Sequence, residues 1–180
     1  MNNVNFKVTT VEECQRLYDD GAALAVFYHH HENPFGVFSQ WAYTPFEHSG
    51  MRFPTMEHFM MWQKAKRFGD EEMAKKIIWT ENPEVVKRLG RQVKNFQQQV
   101  WDDCKEYLVA TGNYCKFSQD PHLKRKLLET HDSIIVEASP FDKVWGAGLN
   151  ADQVRRTEPR LYPGQNLLGR ILMTVRGHLM

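Results

Sequence analysis

In the stretch PTMEHFMMWQKAKRF (residues 54–68), an acid, Glu57, and an amine, Lys64, interrupt an otherwise apolar run. A carboxylate can move protons or steady a developing cation, and an unprotonated lysine attacks carbonyl-like carbon. At about 100° per residue, Glu57, Met60, Met61, Lys64 and Phe68 share one helical stripe, with Phe59, Trp62 and Lys66 opposite. Seven residues correspond to about 10 Å along the axis, too far for an i,i+4 ion pair but suited to flanking a sugar-sized group. The placement equally suits a carboxylate favoured by the first helical turn and a lysine that snorkels to water. His58 and Gln63 add polar groups to the same segment, and the spacing alone leaves both readings open.

Other polar residues sit in similarly apolar company. The segment ENPFGVFSQW combines a turn, aromatic rings and a hydroxyl, so Phe38 and Trp41 beside Ser39 can stack a planar base or belong to the core. LGRQVK offers Arg91 after a helix end, which suits a phosphate or a solvated terminus. VEASPFDKVWGAG runs from an apolar strand into Asp142, Trp145 and Gly146, and loops at strand ends commonly build sites. PGQNLLG puts Asn166 at a helix start, either as a plain N-cap or beside N–H groups that favour an anion. HHHE (29–32) would place His29 and His31 on one face of a strand, but no second ligand cluster has metal spacing, so no metal site is assigned.

These groups must be held by one domain of 180 residues, long enough for a real core. A net charge of +1 argues against a nucleic-acid coat without excluding local phosphate contacts, and HLKRK and RRTEPR read as solvated faces. The three cysteines, Cys14, Cys104 and Cys115, lack paired zinc spacing and fit a reduced compartment, with cytoplasmic or nuclear placement expected. No signal-peptide pattern opens the chain and no apolar run is long enough to span a bilayer.

The pattern predicts a first helix over TVEECQRLYDD closed by Gly21, then a strand over ALAVFYHH. HENPFGVFSQWAY starts as a loop and ends as a short strand, and TPFEHSGMRF reads as a hairpin turning at Ser49-Gly50. Thr55 caps the next helix, EEMAKKIIW continues as another, and Pro83 opens PEVVKRLG, which Gly90 ends. FQQQVWDDCKEYLVATG is a longer helix ending at Gly112, followed by a helix over PHLKRKLLET, a strand over SIIVEAS and a last helix after Asn166. The sum is an α+β fold: a single compact domain, mainly helical with a small sheet.

In order, ENPFGVFSQW, FPTMEHFMMWQKA, LGR, CKF, VEASPFDKVWGAG and NLLGRILMTVR resemble the NADAR family, named for a proposed association with NAD and ADP-ribose. The resemblance covers roughly residues 26–176, leaving 1–25 as a variable N-terminal segment packed on a domain of 26–180. One departure is that the family usually shows Ser-Asn-Phe where this chain has Ser39-Gln40-Trp41.

The resemblance implies an N-glycosidase, a hydrolase without metal or redox cofactor and without an obligate protein partner. Its substrates would carry a ribose whose C1 is bonded to an exocyclic amine: ADP-ribose on guanine, including guanine in DNA, or ribosylaminopyrimidine phosphates of riboflavin synthesis. A non-catalytic ADP-ribose reader on the same fold is the rival. The resemblance makes Glu57 and Lys64 catalytic. Phe38, Trp41 and Trp145 would stack the base, Ser39, Asp142 and Asn166 orient ribose hydroxyls, and Arg91, Gly146 and the helix start at Asn166 hold phosphate oxygens. His58 joins the substrate-binding set.

Overall fold

The computed structural model describes residues 5–180. In chain order its elements are α1 (Val11–Asp19), β1 (Leu24–Phe27), β2 (Phe46–His48), β3 (Met51–Phe53), α2 (Met56–Arg67) and α3 (Glu71–Ile78). There follow α4 (Pro83–Gly90), α5 (Gln98–Gln119), α6 (Pro121–Leu128), β4 (Ile134–Glu137), α7 (Ala151–Val154) and α8 (Leu167–Leu179). The expected mainly helical α+β fold is what forms. Its contacts divide the chain into two units, one of residues 40–119 and one of residues 5–39 with 120–180. Residues 1–4 of the N-terminal segment lie outside the described residues.

In the second of these units, β1 and β4 pair in parallel, with Leu24 opposite Ile134 and Phe27 opposite Glu137. Ala25, Phe27, Ile134, Ile135 and Val136 are all buried, the near-continuous apolar run of a strand pair covered on its faces. Helix α8 lies so close to β4 that a Cβ on Gly169 would fall 2.1 Å from the Ile135 carbonyl oxygen, so only glycine allows this approach. Helix α1 opens with a capping box between Thr10 and Glu13. Its Gln15 donates to Glu158 Oε2 at 3.0 Å and accepts the Arg160 N–H at 3.1 Å, which seats the N-terminal helix within this unit.

In the unit 40–119, β2 and β3 form the expected hairpin, with Ser49 (φ 52°) and Gly50 (φ 76°) at its turn. Phe46, Phe53 and Phe59 bury their rings together at centroid distances of 5.1–5.8 Å. Two glycines let α2 pack closely: a Cβ on Gly90 would meet Met61 Sδ at 1.9 Å, and one on Gly112 would meet the Phe59 ring at 2.6 Å.

That second contact corrects one expectation. Helix α5 does not stop at Gly112 but runs through it to Gln119, because the glycine there is a packing notch rather than a terminator. Two others also change. The first strand ends at Phe27, four residues from His31, and the segment after Pro34 forms a 3₁₀ turn at Gly36–Phe38 instead of a strand. A Cβ on Gly36 would meet the His30 carbonyl at 2.6 Å, so the chain folds back tightly here.

Candidate functional site

Helix α2 carries the acid and the amine. Thr55, extended at φ −141° and ψ 163°, caps it by accepting the His58 N–H at 3.3 Å. The Thr55 hydroxyl in turn bonds His58 Nδ1 at 2.8 Å, and His58 Nε2 bonds the Thr80 carbonyl at 2.7 Å. A carbonyl only accepts, so Nε2 carries the proton and Nδ1 receives the Thr55 hydroxyl. Burial holds the His58 pKa below its usual range, consistent with a neutral ring. With both ring nitrogens committed and no exposure, His58 fixes the helix start. The Glu57 N–H, another donor of the first turn, is taken by the Gln40 carbonyl at 2.9 Å.

Glu57 is 2% exposed and Lys64 half-buried on the same helix. Desolvation lowers the Lys64 pKa, the Arg91 charge lowers it further, and Glu57 opposes them. The Lys64 ammonium position lies 4.0 Å from the centre of the Phe96 ring. Glu57, Lys64 and exposed Arg91 are therefore within electrostatic reach of one another, in one unit. Trp41 belongs to the same unit, half-buried, with Lys87 Nζ 5.9 Å from its ring. The arrangement offers a buried carboxylate and an amine biased toward its nucleophilic form.

In the other unit, several expected contacts serve the fold. Phe38 is fully buried, edge-on to Phe27 at 5.8 Å and stacked on Phe35 at 5.4 Å, and so packs in the core of this unit. Asn166 starts α8 but does not cap it with its side chain. It sits in the left-handed region (φ 47°), where its Oδ1 accepts the Glu137 N–H at 3.0 Å and its Nδ2 donates to the Ile135 carbonyl at 2.9 Å. The amide thus extends the β4 edge as a neighbouring strand would. Asp142 Oδ1 accepts the N–H groups of Val144 and Trp145 at 3.0 and 2.8 Å, which shapes the loop that carries half-buried Trp145. Gly146 is buried where a Cβ would meet Ser139 Cβ at 2.8 Å and the Asp142 carbonyl at 2.9 Å. Ser39 is buried after the 3₁₀ turn.

Among the described residues no group of three or more His, Cys, Asp or Glu side chains is placed to hold a metal ion. His29 and His31 stack ring on ring at 5.2 Å within a turn. No described helix is long and apolar enough to cross a membrane. Burial pushes the Cys14 thiol up to about 11, which makes it a poor nucleophile.

The NADAR domain family model matches residues 26–180. The chain belongs to the NADAR family. It is 44% identical over 159 residues to "N-glycosidase R617" of Acanthamoeba polyphaga mimivirus, covering 84% of this chain and 94% of that protein. It is 30% identical over 145 residues to "N-glycosidase YbiA" of Escherichia coli (strain K12), covering 81% and 82%. The NMR structure of E. coli YbiA superposes with a TM-score of 0.71 at 29% identity, covering 87% of this chain and 84% of that one. "Riboflavin biosynthesis protein PYRR, chloroplastic" of Zea mays is 35% identical over 137 residues, which make up 71% of this chain but 20% of that protein.

Relatives named N-glycosidases are hydrolases, and the expectation of a hydrolase stands with this NADAR membership. Two residues of the NADAR match gain weight only from the structure. Gln40, passed over in the sequence except as a departure from Asn, has a buried carboxamide next to the start of α2. Lys116, within the CKF motif, is 1% exposed, and burial lowers its pKa to about 7. A buried lysine in a helix of mixed polarity leaves no periodicity signal, so spacing could not have singled it out.

Proposed function

We propose that this protein is an N-glycosidase that cleaves the bond between ribose C1 and an exocyclic amine, with ADP-ribose on guanine as its substrate. The observation that carries the reading is the pair on α2: a buried Glu57 and a Lys64 whose pKa is depressed by desolvation and by Arg91. Glu57 relays a proton from solvent to the ring oxygen as the C1–O bond breaks, and the exocyclic nitrogen lone pair closes an iminium at C1. The neutral Lys64 amine then adds to C1, forming the Nζ–C1 bond. Glu57 carries the proton lost from Nζ to the departing nitrogen, the C1–N bond breaks, and the base leaves as a neutral amine. Water adds to the lysine iminium and its two protons pass through Glu57, one to Nζ, which leaves C1 as the neutral amine, and one back to solvent, so that the open-chain sugar departs as its aldehyde. Within the unit of residues 40–119, Trp41 is the candidate to face the base and Arg91 a phosphate oxygen; a base contact for Trp145 and ribose contacts for Ser39 and Asp142 are proposals that rest on the family resemblance alone.

A second reading, ribosylaminopyrimidine phosphates as substrate, is favoured by the similarity to the maize PYRR protein. Both substrate classes present the same bond to Glu57 and Lys64. The test offers guanine-ADP-ribosylated DNA and a ribosylaminopyrimidine phosphate side by side and detects released amine and sugar by mass spectrometry. Release from the guanine substrate, lost in Glu57→Gln and Lys64→Met, is the expected result. Release from the pyrimidine alone selects the second reading. Tight ligand binding with no release from either makes the protein a reader instead of an enzyme.

A further inference from the structure

Four side-chain carboxamides are buried among the described residues: Gln15, Gln40, Asn113 and Asn166. Gln15 bonds Asp19, Glu158 and the Arg160 backbone, Asn166 bonds β4 at both ends, and Asn113 donates to the Val109 carbonyl. Gln40 differs from all three. It is 6% exposed, and neither its Oε1 nor its Nε2 meets a hydrogen-bond partner among the described residues. A buried amide that uses neither its donor nor its acceptor is costly, and folded proteins seldom keep one without a reason. Its backbone is not loose either: the Gln40 carbonyl holds the Glu57 N–H at 2.9 Å, which fixes this residue's main chain at the start of α2, the helix that carries Glu57.

We infer that the Gln40 carboxamide is a specificity group that reads the lactam edge of the leaving base. A carboxamide sets an N–H donor beside a C=O acceptor, and the complementary partner is another N–H beside another C=O. Phosphate supplies acceptors only and would leave Oε1 unpaired. A lactam satisfies both atoms at once, and it is the feature shared by guanine (N1–H beside C6=O) and by aminopyrimidinones. The inference rests on the proposed N-glycosidase reading for the placement of the base near Glu57. The Gln40 amide becomes fully bonded when the right base arrives. A site built this way rejects an analogue that lacks the edge.

The test compares two probes, guanosine and 2-aminopurine riboside, which share the ribose and the exocyclic amine but differ in the lactam. Binding to the wild type and to Gln40→Met is measured by calorimetry, with AMP as a third ligand. The wild type should prefer guanosine by about tenfold or more, and Gln40→Met should bring that ratio close to one. The unliganded Gln40→Met protein should also melt at a higher temperature, because two unpaired buried polar atoms are gone, whereas a merely structural glutamine would lower it. The inference is overturned by any of four results: no preference in the wild type, a ratio unchanged in the variant, equal weakening of both nucleosides, or a loss confined to AMP. Binding needs no turnover, so the two claims separate. A lactam preference without base release refutes the glycosidase, and base release without the preference refutes the role of Gln40.

Discussion

Replacing Asn166 tests the finding that its amide belongs to the β4 edge. In Asn166→Ala the Glu137 N–H and the Ile135 carbonyl lose their partners at 3.0 and 2.9 Å, in a site where Asn166 itself is 4% exposed. Each orphaned group costs about 1–2 kcal/mol when water reaches it poorly. Alanine must also hold the left-handed conformation at φ 47°, which costs about 1 kcal/mol more. The total is about 3–5 kcal/mol, or a fall in melting temperature of about 8–15 °C for a chain of this size. Asn166→Gly orphans the same two groups without the conformational penalty, so it should recover about 1 kcal/mol. Urea unfolding followed by tryptophan fluorescence measures both variants against the wild type. A loss below 1 kcal/mol in Asn166→Ala, or a glycine variant no better than the alanine one, would refute the assignment and return Asn166 to a ligand-facing role.

Two further predictions concern charge. Arg91 lowers and Glu57 raises the Lys64 pKa, so the pH at which Lys64 becomes reactive should move up in Arg91→Gln and down in Glu57→Gln. The check is the rate of Lys64 acylation against pH, read by peptide mapping; shifts of the same sign in both variants would contradict the arrangement. Asp70 caps α3 by accepting the Met73 N–H at 3.1 Å and also takes the Lys94 N–H at 2.9 Å, and these bonds, that of Lys94 foremost, hold its pKa below the usual range. Its stabilising contribution is therefore full above the ordinary Asp value of about 4 and lost as pH falls through the lowered folded value. The melting-temperature gap between wild type and Asp70→Asn should accordingly be widest near neutrality and close in acid; a gap that widens in acid would oppose this.

Much of the fold was legible in the sequence because its punctuation is local. Thr55 caps α2 through its own side chain, Pro83 opens α4, and Ser49-Gly50 turns the hairpin where its residue types require. Misplaced features were those decided by distant partners. Gly112 ends nothing, because a phenylalanine ring more than fifty residues away occupies the place of its side chain. Asn166 has the composition of a cap, yet β4 claims its amide. The candidate site divides in the same way. Glu57 and Lys64 were visible as charges inside an apolar stripe, whereas the tertiary commitments of His58 and Phe38 leave no trace in spacing. Gln40 was hidden for the opposite reason: what marks it is the lack of partners for its side chain, which no sequence pattern records.

The central claim is that Lys64 forms a covalent bond to ribose C1. Borohydride reduction during turnover of guanine-ADP-ribosylated DNA, followed by peptide mass mapping, tests it most directly. The account predicts a reduced sugar adduct on Lys64 that requires substrate and disappears in Lys64→Met. Full turnover with no adduct on Lys64 would contradict it and leave Glu57 activating water for a direct displacement.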